Sequence, residues 1–260
     1  MWYYQKKTND QEVIAKLTKL SKELPTRGFD EYYKRIRREG LKWNRKRVLR
    51  VYRAMKLKLR RRCKKRLDKR VKQPLEAPKS LNICWSIDFM SDTLTDGRKL
   101  RVLNIIDDCN REALATKAAL SFPARSLVEV LEHLAQEIGL PKYIRCDNGP
   151  EFLSKLFISW CEKHTIEIKY TQPGKPMQNG YIERFNRFYR EDILDAYYFD
   201  DIYQLQRLSD KWRYDYNNNH PHKSLGNKTP LEFMPRFEDE INLTFKSERS
   251  NKILSNLEVS

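Results

Sequence analysis

Cysteine is scarce and badly spaced for any framework. The 260-residue chain holds five, Cys63, Cys84, Cys109, Cys146 and Cys161. The number is odd and no C-x-x-C pair occurs, which excludes a disulfide scaffold and a cysteine-cornered zinc site. Free buried thiols in a reducing compartment are expected instead. Long apolar runs are missing too: none approaches the ~20 residues that a bilayer-crossing helix needs. The opening Met-Trp-Tyr-Tyr-Gln-Lys-Lys does not read as a secretory signal. These absences point to a cytoplasmic protein without a membrane partner.

Acid is short in one region only. Residues 1–80 carry 8 Asp and Glu against 28 Lys and Arg, a net of +20, whereas the rest of the chain carries 27 against 24. The net charge of +17 therefore sits in the first third. An anionic partner is expected there.

That basic third contains three helical patterns. Ile14, Leu17 and Leu20 recur at helix spacing in QEVIAKLTKLSKEL. FDEYYKRIRREG places Phe29, Tyr32, Tyr33 and Ile36 on one face and stops at Gly40. After Leu41-Lys42-Trp43, Asn44 can cap a third helix, RKRVLRVYRAMKL, with Val48, Leu49, Tyr52 and Met55 inward. Two short helices joined by a short turn form a helix-turn-helix. Arg45, Lys46, Arg47, Arg50 and Arg53 stud the outer surface of the second, where they can meet phosphates and base edges of double-stranded DNA. Residues 41–70 hold 16 Lys and Arg with one acid, a density that repels itself unless a polyanion is bound. The domain layout expected is a helix-turn-helix over 1–62, a basic linker over 63–80, a catalytic core over 81–236 and a tail over 237–260.

The core reads as an α/β fold with a mixed sheet. LNICWSIDFM alternates as a strand, KLRVLNIID and REALATKAAL suit a second and third, and a helix follows from about Ala124 to Ile138, ending at Gly139. KYIRCD is a short strand ending at Asp147. A helix around 155–164, the strand IEIKY and a long helical region from about Pro176 complete the pattern. On that last helix Ile182, Phe185, Tyr189, Ile193 and Ala196 should be buried, while Glu183, Arg187 and Arg190 share another face.

Two acids sit at strand positions, Asp88 in an apolar strand and Asp147 before the turn Asn148-Gly149-Pro150, and Glu183 opens the late helix. Carboxylates suit hard divalent cations. A cluster of three can hold two Mg²⁺ or Mn²⁺ ions for phosphodiester chemistry. Each acid alone is equally readable as a turn, cap or surface residue.

Asp147 and Glu183 are separated by 35 residues, and WSIDFM, IRCDNGPEF and QPGKPMQNGYIERFNRFYRE surround the three acids. This pattern resembles the D,D(35)E signature of retroviral integrases and of OrfB-type insertion-sequence transposases. RGFDEYYKRIRREGLKWNRKRVLRVYRAMKL and YNNNHPHKSLGNKTPLEF resemble other parts of the same transposases. The resemblance implies an RNase H-like core and metal-dependent cleavage and joining of element ends. It makes Asp88, Asp147 and Glu183 the metal ligands and Lys175, Gln178, Asn179, Arg187 and Arg190 supports or DNA contacts. It also implies action as a homo-oligomer on DNA, a position near the nucleoid, and an upstream-frame partner or frameshift fusion. The retroviral N-terminal zinc module is excluded, because the first histidine is His133. His220 and His222 are expected to pack or touch DNA rather than hold a metal. Two alternatives are a non-transposing nuclease of the same fold and a transposase reduced to DNA binding.

Overall fold

A computed structural model describes residues 10–57, 77–172 and 179–236. Most of the expected linker, the expected tail, Lys175 and Gln178 lie outside those residues. The chain divides into two compact units, one of residues 10–57 with 190–196 and the other of 77–189 with 197–236 among the described residues.

The first unit is built on α1 (Gln11–Glu23), α2 (Phe29–Arg38) and α3 (Arg45–Ala54). Val13, Leu17, Leu20, Tyr32, Ile36, Val48, Val51 and Tyr52 form its core. The inward stripe of α1 runs through Val13, and Ile14 is 43% exposed, because one residue along a helix turns the side chain by about 100°. Val51 likewise joins Val48 and Tyr52, while Leu49 and Met55 are only partly covered. Tyrosine hydroxyls bond the connecting segments: Tyr32 Oη donates to Leu24 O at 2.8 Å and Tyr33 Oη to Trp43 O at 3.1 Å. Asn44 caps α3, its side chain accepting from Lys46 N at 2.8 Å. A π-helical turn, Arg190–Leu194, belongs to this unit, and its Asp192 accepts from Thr26 Oγ1 and Arg27 Nη2.

In the second unit, β1 (Cys84–Thr93), β2 (Lys99–Asp107), β3 (Ala113–Ala119), β4 (Tyr143–Cys146) and β5 (Glu167–Tyr170) make one sheet in the order β3-β2-β1-β4-β5. The first three strands pair antiparallel, while β1–β4 and β4–β5 are parallel. Parallel pairing requires a crossover, which α4 (Ala124–Ile138) and α5 (Lys155–Lys163) provide. Trp85, Ile87, Leu103, Ile105, Leu131, Phe157 and Trp160 fill the core cluster that strands and helices share.

Two later helices follow, α6 (Gly180–Tyr189) and α7 (Ile202–Asn219). They meet through aromatic rings, Phe185 and Tyr189 each 5.3 Å from Trp212. The sequence reading contains no separate α7, and this helix covers the edge of the sheet. Gln206 accepts from Ala118 N at 2.8 Å and donates to Thr116 O at 3.0 Å; Asn217 accepts from Ala113 N at 2.8 Å and donates to Ala113 O at 3.1 Å. Side-chain amides thus substitute for a sixth strand on β3, which closes an edge otherwise open to pairing.

Candidate active site

The register of β1 and β4 brings two acids level. Cys84 lies opposite Tyr143, Trp85 opposite Ile144 and Ser86 opposite Arg145. Two residues beyond the last pair, on each chain segment, come Asp88 and Asp147. Neighbouring strands are about 4.8 Å apart, and Asp147, the first residue past β4, lies close enough for its charge to be felt at Asp88.

Asp88 is half-buried and firmly held. Its Oδ1 accepts from Phe89 N at 2.8 Å, and its Oδ2 accepts from Asn186 Nδ2 at 2.7 Å. Asn186 Oδ1 in turn accepts from Asn104 Nδ2 at 2.8 Å, and Asn104 is the residue facing Asp88 across the β1–β2 ladder. This triangle ties α6 to the two central strands. Glu183 precedes Asn186 by three residues on α6, about 4.5 Å along the axis, and is exposed. Burial pushes the Asp88 carboxyl up to about 6, and the charges of Asp147 and Glu183 add to the effect against the bonds from Phe89 and Asn186. Asp88 therefore senses both of the other acids. Among the described residues, however, no three Asp, Glu, His or Cys side chains stand as a ready-made metal cage.

Asp147 is shaped by its own turn. Gly149 N donates to Asp147 Oδ1 at 2.9 Å, and a β-carbon on Gly149 would stand 3.0 Å from that oxygen. Close approach, rather than a left-handed backbone, favours glycine here.

The α-helix carrying Glu183 ends at Tyr189 and passes into the π-helical turn at Arg190. Arg190, the first residue of that turn, follows Glu183 by seven residues. Arg190 Nη1 lies 3.7 Å from Asp195 Oδ1. The same ending leaves Ala196 exposed, while Ile182, Phe185, Tyr189 and Ile193 are buried as expected. Arg187 is exposed, its guanidinium 5.7 Å from the Phe188 ring centre. Asn179 is buried, and its side-chain oxygen has no hydrogen-bond partner.

Of the five basic residues expected to face DNA, three have acid partners. Arg45 Nη2 reaches Asp30 at 2.7 Å, Arg47 Nε reaches Asp10 at 2.9 Å and Arg50 Nη2 reaches Asp10 at 2.6 Å. The Arg47 hydrogen bond, with Arg50 beside it, holds the Asp10 carboxyl below its usual range. Lys46 and Arg53 are exposed, and neither side chain has a partner among the described residues.

Other polar groups have structural work. Asp108 is fully buried, receiving Ser86 Oγ at 2.7 Å and Arg145 Nη1 at 2.6 Å. Arg236 joins Asn82, Asp107 and Glu112. His220 and His222 are buried, 4.8 Å apart between ring centres, and both pack on Tyr216. Cys84, Cys109, Cys146 and Cys161 are free and buried.

Asn104 and Asn186 are the site residues that motif reading passes over. Asn104 leaves a signal, a lone amide in the apolar run VLNII. Asn186 leaves one as well, an amide on the inward face of α6.

Comparison with known proteins follows this geometry. The integrase core domain family matches residues 78–176, and a second integrase core domain family matches residues 164–230. An uncharacterized 31.7 kDa protein of insertion element IS407 from Burkholderia multivorans (strain ATCC 17616 / 249) is 34% identical over 232 residues, 89% of this chain and 84% of that protein. The transposase InsD for insertion element IS2D of Escherichia coli (strain K12) is 27% identical over 240 residues, 87% of this chain and 79% of that one. A simian T-cell lymphotropic virus intasome, solved in complex with PP2A regulatory subunit B56 gamma, aligns with a TM-score of 0.50 at 17% identity, covering 74% of this chain and 67% of that one. At that identity the likeness is one of fold.

Proposed function

The chain belongs to the insertion-element transposases built on an RNase H-like integrase core, and we propose that Asp88, Asp147 and Glu183 form the site at which it cleaves and joins DNA strands. The observation that carries this reading is the register of β1 and β4, which supports a shared location for the two aspartates, together with the Asn186 bond that ties the Glu183 helix to Asp88.

The donors fit a hard divalent cation in kind, since all three are carboxylates. A half-buried Asp88 whose acidity is weakened first by burial and then by its acidic neighbours is a charge that a cation would offset. When bound between these residues, Mg²⁺ or Mn²⁺, two ions in this reading, supplies activation of the attacking oxygen and stabilisation of the departing one. The chain's own part is positioning. Asn186 and Phe89 N–H orient Asp88, Gly149 N–H orients Asp147, and α6 presents Glu183. Water is the nucleophile for cleavage and a 3′-hydroxyl for joining.

The helical unit, within residues 1–62, is read as a helix-turn-helix that holds the element's terminal repeats in double-stranded DNA. Of the five candidate cations, Lys46 and Arg53 have no acid partner among the described residues, and Arg45, Arg47 and Arg50 could exchange their acid partners for phosphates. A basic linker over 63–80 would track the backbone before the core at 81–236. Lys175, Gln178, Asn179, Arg187 and Arg190 are further DNA contacts or supports. Pairing two ends calls for a homo-oligomer on DNA, and an upstream-frame partner or frameshift fusion could complete it. No described helix is long and apolar enough to cross a membrane; action on chromosomal DNA would place the protein in the cytoplasm beside the nucleoid.

Strand joining tests the reading directly. Purified protein, Mg²⁺ or Mn²⁺ and labelled DNA carrying the ends of the encoding element should yield joined products that EDTA and Asp147→Asn abolish. Binding without joining, even with the fusion form supplied, would mean a transposase reduced to DNA binding.

A further inference from the structure

Arg101 on β2 touches both segments that carry the strand acids. Its guanidinium carbon lies 4.2 Å from the ring centre of Phe89, the residue after Asp88. Its Nη1 is ion-paired with Glu151 Oε1, four residues after Asp147. The pair is partly shielded from water, with side-chain exposures of 30% and 12%, so its attraction exceeds that of a surface pair. Burial pushes the Glu151 carboxyl up, but the hydrogen bond and charge of Arg101 outweigh it and leave the group below its usual range.

Only one carboxylate oxygen is used by this pair. Glu151 Oε2 is buried and has no hydrogen-bond partner. It lies against the Asp147 turn: a β-carbon on Gly149 would meet it at 3.4 Å and Asp147 Oδ1 at 3.0 Å. The next residue, Phe152, packs its ring 5.4 Å from Phe89 and 5.7 Å from Phe157, and its carbonyl accepts from Tyr170 Oη at 2.9 Å. One cation thus stacks beside Asp88 and pulls on the turn beside Asp147.

We propose that Arg101, acting through Glu151 and Phe89, is a positioning residue that sets the separation of Asp88 and Asp147. This rests on the assignment of those acids to the active site. Arg101 touches neither acid and takes no part in the chemistry. Groups that orient acids in this way typically affect activity by about 10–100-fold.

The test uses the full chain, Mn²⁺ and a duplex carrying the end sequences of the encoding element. Arg101→Gln, Glu151→Gln, the double variant, Arg101→Lys, Asp147→Asn and the exposed control Arg125→Gln are compared with the parent. Arg101→Gln and Glu151→Gln should each slow joining about 10–100-fold, with DNA affinity close to the parent's and a metal-free Tm lowered by the loss of one half-shielded ion pair. The double variant should be no slower than the worse single. Arg101→Lys, which keeps charge but not the planar fork, should recover part of the rate. The rise in Tm on adding Mn²⁺ should shrink in both glutamine variants. Parental joining by both while Asp147→Asn is inactive would overturn the positioning role, as would losses that multiply in the double variant or a Mn²⁺-induced Tm rise equal to the parent's in both variants. Should the parent not join DNA alone, an undiminished Mn²⁺-induced Tm rise in Arg101→Gln would overturn it equally. Joining by Asp147→Asn would instead overturn the active-site assignment beneath it.

Discussion

Asn186 donates to Asp88 at 2.7 Å while it accepts from Asn104 at 2.8 Å. An amide has one acceptor and one donor end, so this chain of bonds runs in one direction only, from strand to helix to acid. The carboxylate is thereby held toward α6, the helix that bears Glu183. Replacing Asn186 with Ala should slow strand joining about 10–100-fold while leaving duplex affinity unchanged. Single-turnover joining beside a binding titration checks this, and equal rates for parent and variant would refute it.

Metal binding should depend on pH through Asp88. Its carboxyl is pushed up to about 6 by burial, with Asp147 and Glu183 adding to the shift. The folded value lies above the unfolded one, so its contribution to stability is full at low pH and is lost as pH rises through about 6. A divalent cation offsets that loss but must compete with the proton below it. The Tm gain on adding Mn²⁺ should be largest near pH 8 and fade as pH falls through about 6. Asp88→Asn should abolish the gain. A gain that persists unchanged at pH 5 would contradict Asp88 as a ligand.

On the helical unit, unpaired and paired cations should behave differently. Lys46→Ala and Arg53→Ala should each weaken duplex binding across sequences and reduce the salt slope by about one. Asp10→Asn removes the negative charge that pairs with Arg47 and Arg50, now at 2.9 Å and 2.6 Å, and should tighten binding at low salt. Fluorescence anisotropy over a salt series reads all three. Weaker binding by Asp10→Asn would show that Asp10 orients these arginines rather than competing for them.

The edge cover supplied by α7 predicts a stability effect. Asn217→Ala leaves the backbone N–H and C=O of Ala113 without the bonds at 2.8 Å and 3.1 Å. Arg213 Nη1 still reaches the carbonyl at 3.5 Å, so the orphaned group is the N–H, at about 1–3 kcal/mol, and urea unfolding should record it. A change under about 0.5 kcal/mol would mean that water takes over.

Much of the fold is legible locally. KLRVLNIID matches β2 (Lys99–Asp107), and the apolar stripe before Gly139 matches α4 (Ala124–Ile138), because each records its period within about a dozen residues. Asn44 signals the start of α3 by its side-chain chemistry alone. The three acids are proposed from their motifs, and their elements are legible as strand, strand end and helix. Illegible was the break after Tyr189, where a π-helical turn exposes Ala196, since nothing in FNRFYREDIL departs from a helical pattern. Also illegible was α7 as a separate helix, whose Trp212 is buried only because Phe185 and Tyr189 meet it at 5.3 Å.

By itself, then, the amino-acid sequence determined the strands and the helices before Tyr189, where basic charge gathers, and which acids stand at strand and helix positions. Only the tertiary structure decided that Asp88 and Asp147 are level, that Asn186 reaches Asp88 across 98 residues and Asn104 across 82, and that Arg101 bridges Phe89 and Glu151. The reason is physical. Periodicity and capping are set by neighbours along the chain, whereas register across a parallel pair depends on how the crossover packs.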